Sequence, residues 1–314
     1  MNPLTGLYRG ATALRNTLFD RGVLRGRRLE EPVISIGNLS AGGTGKTPFV
    51  IALGELLKER GVSFDVLSRG YRRRTRGVLV VEPDGPAADF GDEPLLIARR
   101  LGVPVVVGES RYQAGQVAEQ KFQSQLHLLD DGFQHRSLAR DFDIVLLAEG
   151  DLEDRMLPSG RLREPVSALR RADALVVPQD FPIENPVLQG NPVWRMHREI
   201  TLGHFPVKPV VFCGIARPHQ FFAQVRATGV TPAAETAFPD HHAYGQNDVD
   251  RLAAMRRDLA GDGFVTTEKD RVNLGPLSSQ LAPLTIATLR LTIDRPADLV
   301  DTILSRIAER KPRS

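Results

Sequence analysis

The stretch Ser35-Ile36-Gly37-Asn38-Leu39-Ser40-Ala41-Gly42-Gly43-Thr44-Gly45-Lys46-Thr47 decides the fold of this 314-residue chain. An apolar run over 32–36 leads into it. An apolar stripe at helical spacing, Phe49, Val50, Leu53, Leu56 and Leu57, follows it. Strand, glycine-rich turn and a helix opening on Gly45-Lys46-Thr47 together form a phosphate cradle. Backbone N–H groups converge on one anion, and the new helix adds the positive end of its dipole. Pro48 is tolerated in the first turn, where its missing N–H costs little. Residues 40–47 (Ser40, Ala41, Gly42, Gly43, Thr44, Gly45, Lys46 and Thr47) are therefore the expected nucleotide cradle. In it Lys46 reaches the outer phosphates and the Thr47 hydroxyl holds Mg²⁺. The usual pattern has glycine where Ser40 stands; here Gly42 and Gly43 supply the flexibility.

Outward from this loop, strand-like runs alternate with helical patterns. Strands are expected at 32–36, 63–68, 78–82, 103–107, 126–130, 143–148 and 173–177, with helices at 48–60 and 92–101 among them. This alternation is that of a P-loop doubly wound, mostly parallel sheet with helices on both faces, an α/β/α domain over 1–192. Pro178, Pro182, Pro186 and Pro192 mark a boundary. A smaller α/β domain over 193–293 follows, with strands at 193–200, 209–215, 263–267 and 284–293 and helices near 217–228 and 247–259. Segments 193–200 and 284–293 are expected to pair as a two-stranded linker. A last helix at 296–310, within a terminal segment 294–314, is expected to return to the first domain.

Composition narrows the function. A single cysteine, Cys213, excludes a disulfide framework and a multi-cysteine zinc site, and suits a reducing cytosol. A net charge of +3 does not mark a nucleic-acid binder. Residues 1–30, however, hold six arginines against Asp20 and Glu30, a local charge of +4. Leu4, Leu7, Tyr8, Ala11, Leu14 and Leu18 recur there at helical spacing. A basic amphipathic helix over about 1–28 can lie on an anionic membrane surface or pack on the protein core, and both readings stay open. No continuous apolar core of a secretory signal and no run of about 18 apolar residues is present, so a cytoplasmic protein is expected, peripheral to the membrane at most.

Further clusters carry chemistry. Leu128-Leu129-Asp130-Asp131 ends an apolar strand in two acids, which a Mg²⁺-nucleotide site needs opposite its phosphate loop, with Gln134 and His135 on the following turn. Asp92, in Gly91-Asp92-Glu93-Pro94, is either the cap of the next helix or a carboxylate that accepts a proton from an attacking hydroxyl. Phe238-Pro239-Asp240-His241-His242 has adjacent histidines that point apart, which argues against a metal pair. By itself it reads as a surface loop, or as a histidine that orients a carboxylate. The basic runs at 69–74 and 161–165 are solvated faces or contacts to an anionic substrate. Thr266-Thr267-Glu268-Lys269-Asp270 closes a strand and carries little signal alone.

Taken together, SIGNLSAGGTGKTP (35–48), SRGY (68–71), GDEP (91–94), ESRYQAG (109–115), LLDDGFQH (128–135), GRLREP (160–165), CGIARPHQFF (213–222), FPDHH (238–242) and TTEKD (266–270) are similar to the motifs of the tetraacyldisaccharide 4′-kinases, lipid A pathway kinases of Gram-negative bacteria. Ser40 is ordinary for that family. A departure is Arg72-Arg73-Arg74 after SRGY, where the family usually has glycine next. The resemblance implies transfer of a phosphoryl group from ATP to the 4′-hydroxyl of an acylated disaccharide 1-phosphate lipid, with Mg²⁺. It further implies a monotopic enzyme at the cytoplasmic face of the inner membrane, with no obligate protein partner. By motif it assigns Lys46 and Thr47 to phosphate and Mg²⁺, Asp131 with Asp130 to the metal, and Asp92 paired with His241 to proton acceptance. Glu164, Gln134, Arg111, Arg163 and Tyr71 become supporting or substrate residues.

The residues themselves leave two other readings: a membrane-associated P-loop ATPase that controls partner binding, and a kinase of a small soluble metabolite. Ala41 stands where the first would carry lysine, and the charged amphipathic start fits the second poorly.

Overall fold

The computed structural model describes residues 3–203 and 206–310. Residues 1–2 of the expected first helix and 311–314 of the expected terminal segment lie outside the described residues. Helix α1 (Pro3–Asp20) is shorter than the expected 1–28. Residues 21–28 leave it through a turn at Gly22 and run beside Leu138.

The remaining elements follow in chain order: β1 (Val33–Asn38), α2 (Lys46–Glu59), β2 (Phe64–Ser68), β3 (Leu79–Val80), α3 (Ala87–Phe90), α4 (Asp92–Leu101), β4 (Val105–Val107), α5 (Arg111–Lys121), β5 (Leu126–Asp130), β6 (Phe142–Leu146), β7 (Ala174–Pro178), β8 (Val193–Leu202), β9 (Val210–Cys213), α6 (Pro218–Ala227), β10 (Ala234–Ala237), α7 (Gln246–Asp258), β11 (Phe264–Thr267), α8 (Glu268–Leu274), β12 (Leu284–Ile293) and α9 (Pro296–Arg310).

Among the described residues one sheet of twelve strands runs in the order β10-β9-β11-β12-β8-β7-β6-β1-β5-β2-β4-β3. Its pairs are parallel except β8 with β12 and the short edge β3 with β4. β1 lies between β5 and β6 and is buried at every position, as a central parallel strand must be when helices cover both faces. On one face Ile34 and Ile36 meet Phe49, Val50 and Leu53 of α2, Leu95 of α4 and Ile303 of α9. On the other face Val33 and Leu129 meet Ala114 and Ala118 of α5. Thus α9 packs beside α2 against the inner half of the sheet.

The pair β8–β12 runs from Ala287↔Leu202 to Ile293↔Met196. It is continuous with its neighbours: β8 pairs β7 on one side, and β12 pairs β11 on the other. The outer lobe, β9–β11 with α6 and α7, therefore extends the same sheet, with separate apolar clusters on its two faces.

Candidate active site

The phosphate loop leaves the carboxyl end of β1 and lines a cleft of ≈ 1000 Å³ with residues of both lobes. The cleft opens at the carboxyl ends of the parallel strands, where open α/β sheets bind ligands. Gly45 precedes α2 with φ +87°, a conformation that costs glycine nothing. Gly37 lets Phe133 approach β1, since a Cβ there would stand 2.7 Å from the Phe133 backbone nitrogen. The loop is braced from one side: Ala41 N donates to Arg161 O at 2.7 Å, and Arg163 N to Leu39 O at 2.7 Å. Asn38 donates to Ser40 O at 2.6 Å and accepts from Lys46 Nζ at 3.1 Å. Gln134 Nε2 holds Asn38 O at 2.9 Å.

Within this frame the Ser40 and Thr44 hydroxyls are buried without a partner among the described residues. Buried polar atoms are normally satisfied, and Thr44 lines the cleft, so its free hydroxyl marks a ligand-facing position.

Asp130 ends β5 beside the loop, and Asp131 follows it. Asp130 is buried and accepts from Ser68 Oγ at 3.0 Å. Burial and the charges of Glu93 and Asp131 push its carboxyl up. Asp131 sits at φ +51°, 3.4 Å from Lys46 Nζ and 3.0 Å from Arg163 Nη1. Burial opposes its charge, but Lys46 and Arg163 outweigh that and hold it below its ordinary value. Thr47, Asp130 and Asp131 offer hard oxygen donors at one cleft wall. That fits Mg²⁺, which takes one or two carboxylates and completes its shell with phosphate oxygens and water. Among the described residues no group of three or more His, Cys, Asp or Glu could cage a metal alone.

Behind the cleft wall formed by Glu93, His241 and Lys269, the start of α4 carries Asp92. The side chain does not cap its helix; Oδ1 accepts from the backbone N–H of Glu93, 2.9 Å away. His241 Nδ1 donates to Asp92 Oδ2 at 2.8 Å, and Asn273 Nδ2 donates to the same oxygen at 3.0 Å. Burial would raise the Asp92 pKa, but the His241 hydrogen bond, Lys269 and Asn273 hold it below 3.8. His241 lies on the outer-lobe loop at φ +59° with Tyr71 edge-on at 5.4 Å. His242 turns away to Asp248 at 2.9 Å.

Two residues to which the motif strings assign no role sit beside this pair. Lys269 of α8 lies 3.2 Å from His241 Nε2, 3.1 Å from Asp240 and 3.7 Å from Glu93. Burial lowers its pKa, and the carboxylates of Asp92, Glu93 and Asp240 more than restore it. The pattern Thr267-x-x-Asp270 was its available signal: Thr267 accepts from Asp270 N and fixes the helix that carries Lys269. The second is Arg72, whose guanidinium donates to Asp240 O at 2.6 Å. Its neighbour Arg73 pairs with Glu109 at 2.9 Å.

The structure gathers Lys46, Thr47, Asp130, Asp131, Gln134, Arg163, Arg111, Tyr71 and His241 at the cleft, with Asp92 behind His241. Arg111 is buried, and burial with neighbouring Arg69 lowers it to about 10. His135 beside it falls to about 4 through burial and Arg111, Arg140, Arg15 and Arg69. Glu164 is placed elsewhere. It is buried under α1, where it accepts from Asn16 at 2.6 Å and from Arg171 at 2.9 and 3.1 Å, so its carboxylate is consumed in holding α1.

A loop at the end of a central parallel strand, paired acids on the next strand and a carboxylate–histidine pair across the cleft define a P-loop α/β protein built around a phosphate site. A family model described as Tetraacyldisaccharide-1-P 4'-kinase matches residues 1–308. The Tetraacyldisaccharide 4'-kinase of Koribacter versatilis is 47% identical, with 99% of each chain covered. That of Aquifex aeolicus is 39% identical, covering 87% of this chain and 88% of the relative. The crystal structure of "apo" form LpxK from Aquifex aeolicus in complex with ATP is similar at a TM-score of 0.79 and 34% identity, covering 97% of this chain and 98% of that one. The chain belongs to the tetraacyldisaccharide-1-P 4'-kinase family. That membership favours the lipid kinase over the two alternatives the residues left open.

Proposed function

We propose that this protein transfers the γ-phosphoryl group of ATP to the 4′-hydroxyl of a tetraacyldisaccharide 1-phosphate. The observation that carries the mechanism is His241, which lines the same cleft as the phosphate loop with Asp92 hydrogen-bonded behind it. The loop and Lys46 hold the phosphate chain. Asp92, oriented and kept ionised by His241, Asn273 and Lys269, takes the proton of the sugar hydroxyl while its oxygen attacks the γ-phosphorus in line. The new O–P bond forms as the bond to the β-phosphate oxygen breaks, and ADP leaves. Thr47 and Asp131, with Asp130, would hold Mg²⁺, which when bound would supply charge neutralisation for the phosphate oxygens. The rest is positioning in a site walled from both lobes.

The acceptor enters from the α1 side. Tyr8 of α1 lines the cleft, and the cationic group of Arg69, Arg111 and Arg15 around His135 suits a lipid phosphate. Polar contacts anchor α1 to the body: Tyr8 Oη to Arg163 O at 3.0 Å and Arg15 to Gln134 O at 2.8 Å. Three of its leucines face outward instead, Leu4, Leu7 and Leu14, exposed by 60%, 74% and 62%. That outward stripe with flanking arginines supports α1 as the contact to an anionic membrane, the inner membrane's cytoplasmic face. Among the described residues no helix is long and apolar enough to cross a membrane. In this reading 1–192 with the returning α9 binds ATP and lipid, and 193–293 supplies His241 and Lys269.

The test supplies γ-labelled ATP and the tetraacylated disaccharide 1-phosphate in detergent. Label in the lipid is expected, and its absence with an intact substrate refutes the proposal.

A further inference from the structure

Strand β8 turns alternate side chains inward, and Trp194, Met196, Ile200 and Leu202 fill four of those five positions with apolar groups. The fifth is Arg198. Its guanidinium donates to the Thr44 carbonyl of the phosphate loop and lies 3.7 Å from Met196 Sδ, while Nε is buried without a partner. Among the described residues no carboxylate forms an ion pair with it. The charge that acts on it is another cation, Arg217, and burial with that cation lowers Arg198 to about 10. A cation held in an apolar row without an anion is costly, so a structural purpose alone would be better served by a methionine or leucine. Its position supplies the anion. Arg198 covers Gly45 so closely that a Cβ there would stand 2.6 Å from the guanidinium carbon. Elsewhere on the loop, Ala216 stands 3.3 Å from where a Gly43 Cβ would be, next in sequence to Arg217.

Resting on the nucleotide site proposed above, we propose that Arg198 is a phosphate ligand contributed by the linker strand: its fork holds the Thr44 carbonyl with one arm and a phosphate oxygen of the nucleotide with Nε. A guanidinium presents several donors in a fixed plane, so one group can serve both. Because β8 pairs with β12, the contact also ties the phosphate chain to the strands that carry the outer lobe.

The test measures MgADP, MgATP and inorganic pyrophosphate binding by calorimetry with the full chain, for wild type, Arg198→Met, Arg198→Lys and Lys46→Ala. Melting without nucleotide is measured alongside. Arg198→Met is expected to weaken all three ligands by about tenfold or more, the worth of a charged hydrogen bond. It should melt no lower than wild type without nucleotide, because methionine suits the row beside Met196 and Ile200. Arg198→Lys should fall between the two. Unchanged affinity in Arg198→Met overturns the inference, as does a lower melting temperature without nucleotide, which would make Arg198 a brace for the loop. Wild-type binding abolished by Lys46→Ala establishes the nucleotide site on its own, so those two results count against Arg198 alone. A wild type that binds no nucleotide overturns this inference and the proposed function together.

Discussion

His241, on a loop of the outer lobe, donates from Nδ1 to Asp92 of the inner lobe at 2.8 Å, so the two halves of the proposed proton acceptor come from different lobes. Asp92→Asn keeps the shape and removes the basic oxygen. Turnover is expected to fall by about 10² or more, the usual contribution of a general base, with ATP affinity little changed. Steady-state kinetics beside equilibrium ATP binding check this, and normal turnover removes Asp92 from the role.

Lys269 is the cation among Asp92, Glu93 and Asp240. Lys269→Met leaves these carboxylates facing one another, which raises the Asp92 pKa. A base with a raised pKa is protonated at higher pH, so the acid limb of the kcat profile should move upward. A pH–rate profile with an unmoved acid limb argues that Lys269 acts only on packing.

Gly45→Ala places a Cβ at φ +87° against the Arg198 guanidinium. The backbone penalty alone is roughly 1–2 kcal/mol. Nucleotide binding should be lost while the fold, followed by circular dichroism, persists. Calorimetric binding at the wild-type level contradicts the described loop geometry.

His127 is fully buried, with Asp65 at 2.8 Å and Glu119 at 3.5 Å. Burial lowers its pKa, but the two carboxylates reverse this and raise it above 6.5. The stabilisation is complete below pH 6.5, the unfolded value, and is lost as pH rises through the higher folded value. The wild-type melting temperature should therefore decline with pH above this point more steeply than that of His127→Gln. Parallel curves would show that His127 does not titrate in the fold.

Leu4, Leu7 and Leu14 are exposed, so replacing all three by serine should leave the melting temperature unchanged while abolishing co-sedimentation with anionic vesicles. Retained vesicle binding rules out the α1 stripe as the membrane contact.

The sequence made the inner half of the fold legible because its signals were strong. The β1–loop–α2 unit and α4 have patterns with one reading, as does the ten-residue linker strand β12. It hid α5, whose buried face is Ala114, Gly115 and Ala118: small residues let the helix approach Leu29 and leave no apolar stripe to count. It hid β10, whose Ala-Glu-Thr-Ala forms a half-exposed edge. In the site, Lys46, Asp92, Asp131 and His241 carry motif strings. Arg198 carries none, since an arginine on the inward face of a strand acquires meaning only when another segment folds over it. Glu164 shows the reverse: a residue inside a motif string whose carboxylate is taken up by Asn16 and Arg171.

The unbroken ladder from Ala287↔Leu202 to Ile293↔Met196 sets the mechanics of the molecule. A flexible tether would let the outer lobe swing freely, whereas two hydrogen-bonded strands in mid-sheet behave as a torsion spring. Relative rotation of the lobes has to be stored as extra twist along β8 and β12, with the pairs kept in register. The spacing between Asp92 and His241 is therefore governed by the stiffness of a sheet, and substitutions on the outward face of that ladder can tune the catalytic distance without touching the cleft.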